Sequence, residues 1–146
     1  KIAGTSQSNS IGTNGDGISD ERERNVISGN GSDGVRIQDS GTGFNIVAGN
    51  FIGTDVTGSI PIANGAEGVR LSSGTKGNRV GTDGNGRADS AERNIISGNI
   101  GMGMRINGNG TSDNVVAGNY IGLDVTGTAD LGNGWHGIKR LSEDNF

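Results

Sequence analysis

The stretch Asn45-Ile46-Val47-Ala48-Gly49-Asn50-Phe51-Ile52-Gly53-Thr54-Asp55-Val56-Thr57-Gly58 returns as Asn114-Val115-Val116-Ala117-Gly118-Asn119-Tyr120-Ile121-Gly122-Leu123-Asp124-Val125-Thr126-Gly127. The shift is 69 residues, without a gap. Asn25-Val26-Ile27-Ser28-Gly29-Asn30 obeys the same shift to Asn94-Ile95-Ile96-Ser97-Gly98-Asn99, and Gly12-Thr13-Asn14-Gly15-Asp16-Gly17 to Gly81-Thr82-Asp83-Gly84-Asn85-Gly86. About half of the aligned positions are identical, so the chain is two copies of one unit, 9–77 and 78–146. A repeat of this kind sets the architecture ahead of local propensity.

A shorter unit lies inside the long one. Gly34-Val35-Arg36-Ile37, Gly68-Val69-Arg70-Leu71, Gly103-Met104-Arg105-Ile106 and Gly137-Ile138-Lys139 recur every 34 or 35 residues. Each such coil also carries segments of the form Asn-x-apolar-x-Gly. The segments are short, β-branched and bounded by glycine, which reads as strands; no stretch shows a helical period. Parallel strands need a crossover between them, and here the rest of the coil supplies it. Val35, Ile37, Val47, Val80, Ile96 and Val116 are expected to point inward. Arg36, between two apolar neighbours, then points outward. The Asn residues open the segments at the bends. An amide offers both a donor and an acceptor to backbone groups left unpaired there, and stacked amides can bond along the axis.

On these residues the chain resembles the right-handed parallel β-helix superfamily, the fold of the pectate lyases. More narrowly, Asn45 to Gly58 and Asn114 to Gly127 are similar to the Asn-x-Ile-x-Gly-Asn-x-Ile-Gly-Thr-Asp-x-Thr-Gly repeats of large secreted bacterial proteins, with Leu123 in place of the Thr. The resemblance implies an all-β solenoid of about four coils and an extracellular or cell-surface setting. It implies no particular activity, because fold alone carries none.

Composition agrees with a solenoid. The chain has 146 residues, which suits one domain over 1–146, with 30 Gly, 1 Pro and no Cys. Glycine-rich turning, not a Pro-rich linker, is what those counts favour. Without cysteine there is neither a disulfide framework nor a thiolate metal site. No apolar run approaches the ~18 residues that span a bilayer. A net charge of -4 argues against nucleic acid as a partner. The chain opens in mid-pattern and shows no clear cap, which reads as part of a longer repeat protein. Open coil ends expose strand edges and favour end-to-end self-association.

Two insertions leave the coil. Gly53 to Gly65 and Gly122 to Gly134 carry Asp-Val-Thr-Gly, which suits a tight turn closed by a side-chain-to-backbone bond. The other runs from Asn14 to Glu23 and from Asp83 to Glu92. Its spacing follows a calcium loop of the EF-hand or dockerin type, with oxygen ligands at positions 1, 3, 5, 9 and 12 and glycine at 6. Asn14, Asp16, Asp20 and Glu23 match in one copy, and Asp83, Asn85, Asp89 and Glu92 in the other. Gly12 and Gly81 stand at position 1, where an aspartate is usual. The alternative is a Gly-rich turn with a solvated charge cluster.

Lys1, Arg36, Arg70, Arg105 and Lys139 occupy one position in five successive coils, so the fold places them in one outward column. Asp33, Asp39 and Glu67 are near enough in sequence to offset their repulsion. Basic side chains in register also suit carboxylates in register along an anionic polysaccharide. Nothing resembles the acidic calcium ligands of the lyases or the paired aspartates of the hydrolases on this fold. His136, beside Trp135, is the lone histidine and sits at a turn. Phe51 and Tyr120 are equivalent and are expected to form a small packed aromatic pair. Arg140 falls where an inward apolar residue is due, so either Leu141 replaces it or the last coil frays. The expectation is a non-catalytic solenoid scaffold that binds an anionic polysaccharide. The alternative is a lyase, epimerase or hydrolase of the pectate-lyase-like fold.

Overall fold

A computed structural model describes residues 1–141; the last five residues of the second repeat copy lie outside the described residues. The chain is an all-β parallel solenoid of about four coils. Its strands are β1 (Ser10–Gly12), β2 (Val26–Ile27), β3 (Val35–Gln38), β4 (Ile46–Ala48), β5 (Phe51–Ile52), β6 (Val69–Ser72), β7 (Arg79–Gly81), β8 (Ile95–Ile96), β9 (Met104–Asn107), β10 (Val115–Ala117), β11 (Tyr120–Ile121) and β12 (Ile138–Leu141). Three parallel sheets result: β1-β4-β7-β10 first, β2-β5-β8-β11 second and β3-β6-β9-β12 third. Among the described residues one 3-10 turn, Asp20–Arg22, interrupts the pattern. The 34–35-residue unit is thus one turn of the coil, and each turn adds one strand to every sheet.

The inward positions are those expected from alternation. Val35, Ile37, Val47, Ile52, Val69, Leu71, Val80, Ile96 and Met104 form one buried cluster. Val116, near one end, is only partly buried against it. Arg140 corrects the expectation made for the last coil. It keeps the register, opposite Ile106, and Leu141 stays opposite Asn107. The strand neither slips nor frays, because the guanidinium at this last rung reaches solvent and costs little there.

The corners explain the asparagines. Asn9, Asn45, Asn78 and Asn114 stack before the first sheet, each side-chain amide donating to the Oδ1 of the next. Asn25, Asn50, Asn94 and Asn119 do so before the second sheet. Asn30, Asn64, Asn99 and Asn133 do so before the third. The second amide hydrogen returns to the preceding rung, as from Asn94 to the Val47 carbonyl at 2.8 Å. The same Oδ1 atoms also accept backbone N–H bonds, as from Asn50 to Asn94 at 2.9 Å. Asn45, Asn50, Asn64, Asn78 and Asn94 are fully buried, and these bonds are what make that burial tolerable.

Glycine is obligatory where coils approach closely at a corner. Gly81 has φ +102°, and a Cβ there would lie 1.9 Å from the Ala117 carbonyl oxygen. Gly12, its counterpart, meets Ala48 in the same way.

Both insertions border the second sheet and alternate along the axis. The acidic loops connect β1 to β2 and β7 to β8. The Asp-x-Thr-Gly loops follow β5 and β11. Beside them runs an outward row, Val26, Phe51, Ile95 and Tyr120, aligned by the strand register, with its middle covered and Val26 exposed. Phe51 and Ile95 are buried although they face away from the coil interior. Phe51 and Tyr120 do not form an aromatic pair, since Ile95 stands between them. Each ring instead lies under an arginine, Arg24 at 4.3 Å and Arg93 at 4.2 Å from the ring centroid. Packing, as expected, is their role.

Candidate functional site

The outer face of the third sheet carries the basic row. Strand register places Arg36 opposite Arg70, Arg70 opposite Arg105 and Arg105 opposite Lys139. The bridge between Ile2 and Ile37 puts Lys1 next to Arg36 in the same line. Neighbouring rungs are about 4.8 Å apart. At such a distance like charges repel by about 1 kcal/mol in water, and more where solvent is partly excluded.

Two carboxylates answer part of that repulsion. Asp33 accepts from Arg36 Nε at 2.5 Å, and Glu67 accepts from Arg105 Nη1 at 3.3 Å. Both carboxyls are sunk beside the row, with side-chain exposures of 1 % and 11 %. The Glu67 backbone N–H also donates to Asp33 Oδ1 at 3.2 Å. Burial pushes the Asp33 carboxyl up, but bonding at Glu67 and the Arg36 guanidinium outweigh it and hold the group below the usual carboxylate range. Asp39 plays no part in the row. It receives bonds from Gln38 and from the Gly4 backbone.

Arg70 is the exception. Glu67 belongs to the same coil, yet it reaches the following rung. Among the described residues, ion pairs join only Arg36, Arg105 and Arg79 to carboxylates. Arg70 Nε is buried without a hydrogen-bond partner, as is Arg105 Nε, but Arg105 has the Glu67 carboxylate at its Nη1 and Arg70 has none. A guanidinium carries donors only, so neighbouring arginines cannot satisfy it. The centre of the row therefore presents unspent donors.

The acidic loops are built differently from an open ligand cradle. Thr13 and Thr82, at position 2 of the calcium-like spacing, donate to Asp20 at 2.7 Å and Asp89 at 2.9 Å. Glu23 and Glu92 accept the backbone N–H groups of Asn14 and Asp83, each at 2.9 Å. Asp16 and Asn85 turn into local bonds with Ile18 and Arg87. The two loops touch through Arg87, whose guanidinium donates to the Asp16 carbonyl. Only the second copy gathers carboxylates: oxygens of Asp83, Asp89 and Glu92 lie within 4.8 Å of one another. Asn14 stands where Asp83 does, and Asp16, Asp20 and Glu23 form no such group among the described residues. Glu92 is buried and further held by Arg79 at 3.0 Å.

The Asp-x-Thr-Gly insertions are turns, as expected. Asp55 accepts from the Thr57 hydroxyl and from the Ser59 and Ile60 backbones, and Asp124 does the same with Thr126, Thr128 and Ala129. His136 and Trp135 are exposed at their corner.

Sequence reasoning aligned the basic row and named Asp33, Asp39 and Glu67 as its counter-charges, of which Asp33 and Glu67 pair with the row and Asp39 does not. It missed which guanidinium each carboxylate takes. It also missed the threonines that close the acidic loops, although Gly-Thr recurs at 12–13 and 81–82. No helix among the described residues is long and apolar enough to cross a membrane. The chain matches no protein-family model, no curated protein and no solved structure.

Proposed function

We propose that this chain is a non-catalytic β-solenoid scaffold whose third sheet binds an anionic polysaccharide along the basic row. The observation that carries it is Arg70, a guanidinium without a carboxylate partner at the centre of an in-register row. The anionic groups of a glycan supply the acceptors the row lacks, and an extended sugar chain advances by about one rung per residue. The test is electrophoresis through gels containing pectate, alginate or a sulfated glycan at low salt. Retardation that vanishes in Arg70→Gln and fades at high salt is expected. Unchanged mobility in all three gels ends the reading. An extracellular or cell-surface location goes with it, as does kinship with the pectate-lyase-like β-helices that the repeat resembles.

One observation favours the enzymatic alternative: Asp33 and Glu67 bury two carboxyls together beside the row. A screen on uronans for unsaturated or shortened products decides it, and a lyase, epimerase or hydrolase reading falls if every substrate is returned intact. Ca²⁺ at the second acidic loop is a separate proposal, supported by the Asp83, Asp89 and Glu92 cluster, with hard oxygen donors of the right kind. Calorimetric heat and a raised melting temperature on adding Ca²⁺ would support it; a flat titration with an unmoved melting temperature would remove it. End-to-end association through the exposed rungs is the remaining partner mode we put forward, read by sedimentation over a range of concentrations.

A further inference from the structure

The ion pairs do not fall at random along the basic row. Arg36 and Arg105 are ion-paired with Asp33 and Glu67, Arg105 through Nη1 while its Nε keeps no partner. Lys1, Arg70 and Lys139 are not, since every ion pair among the described residues lies elsewhere. Counting rungs in order, the cations are free, paired, free, paired, free. The alternation comes from Glu67 bonding forward to Arg105 instead of to Arg70 in its own coil.

Uncompensated positive charge therefore recurs every second rung, about 9.6 Å apart. At the rungs between, a buried carboxylate lies directly beside the guanidinium. An anion arriving there meets a cation already neutralised and a like charge next to it. Binding at those rungs gains little and is opposed by Asp33 or Glu67.

Resting on the anionic-polysaccharide reading of this face, we infer that its ligand carries one anionic group per disaccharide, with a neutral sugar between. Successive acidic residues meet Lys1, Arg70 and Lys139, and the neutral residues lie over the two ion pairs. A homopolymer of uronic acid, with a carboxylate on every residue, places half of its charges against Asp33 and Glu67.

The test compares two polymers on the full chain. Hyaluronan has one carboxylate per disaccharide, and polygalacturonate has one per residue. Wild type is expected to bind hyaluronan several-fold more tightly at equal uronate concentration. Asp33→Asn with Glu67→Gln frees Arg36 and Arg105, and should reverse the order. Glu67→Gln alone frees only Arg105 and should narrow the preference; this single change guards against a double variant that folds poorly. Arg70→Gln should lose hyaluronan most. The inference is overturned if wild type binds polygalacturonate as well as or better than hyaluronan, or if Glu67→Gln leaves the preference unmoved. Failure to bind either polymer, or a sulfated glycan, marks instead the failure of the binding-face reading itself.

Discussion

Columns of asparagine and a column of basic residues run along this solenoid, and the two kinds behave in opposite ways. An amide holds a donor and an acceptor, so a stack of asparagines closes on itself. Asn50, Asn94 and Asn119 need nothing from outside. A guanidinium holds donors only, so a stack of arginines stays open. Asp33 and Glu67 pair with two rungs, Arg70 is left without a carboxylate, and the Nε of both Arg70 and Arg105 stays buried without an acceptor. Repetition is therefore not by itself a sign of function. A self-complementary column is architecture, whereas a column that cannot satisfy itself points to a partner.

Substitutions at the two kinds of column should separate them most sharply. Asn94→Leu strands the Asn50 backbone N–H and removes the side-chain bonds to the Val47 carbonyl and Asn119 Oδ1 at a buried corner. A loss on the order of 3 kcal/mol or more is expected by denaturant unfolding, from about 1–3 kcal/mol for each buried group left unpaired. Gly81→Ala at the neighbouring corner should also destabilise severely, since both its φ and the Ala117 carbonyl oppose a side chain. Arg70→Gln should leave stability within about 0.5 kcal/mol while abolishing retardation by glycan. Equal loss of stability at Asn94 and Arg70 would erase the distinction.

Acid offers a milder way to divide them. Amides do not titrate, but the carboxylates do. The Asp33 carboxyl is held low as described above. Burial raises Asp55, but the Thr57 hydroxyl and backbone donors bring it below the usual range. The Thr126 hydroxyl, together with backbone donors, lowers Asp124 despite the opposing effect of burial. In each case the folded pKa lies below the unfolded one. Their stabilisation is therefore full above the ordinary Asp value of about 3.9 and is lost as pH falls through the folded values. Melting temperature should decline in that acid window, less steeply in Asp124→Asn than in wild type. The smallest effect concerns Asp39, which serves no row cation; Asp39→Asn should leave glycan retardation unchanged.

Much of this was legible in the residues. The 69-residue shift and the 34–35-residue unit gave coil, register and the basic column, because a solenoid turns sequence period directly into spatial neighbours. What escaped were contacts that cross rungs or lie outside the coil. Glu67 lies in the coil of Arg70, three residues away, and only side-chain reach carries it to Arg105. The outward apolar row of Val26, Phe51, Ile95 and Tyr120 was hidden because its strands have two residues each and show no alternation. Its cover comes from loops that read as solvent-facing. The acidic loops escaped for a third reason: a carboxylate spacing that suits a cation suits equally well the loop's own hydroxyl and N–H donors.

The three asparagine columns have one more property. All nine side-chain amide bonds run in the same sense, each earlier rung donating to the later one. The solenoid is thus vectorial, with carbonyl oxygens of Asn9, Asn25 and Asn30 facing one way and amide hydrogens of Asn114, Asn119 and Asn133 facing the other. Two such bodies meeting through like faces would set acceptor against acceptor or donor against donor. A contact between two copies through these faces would accordingly match donors to acceptors only head to tail.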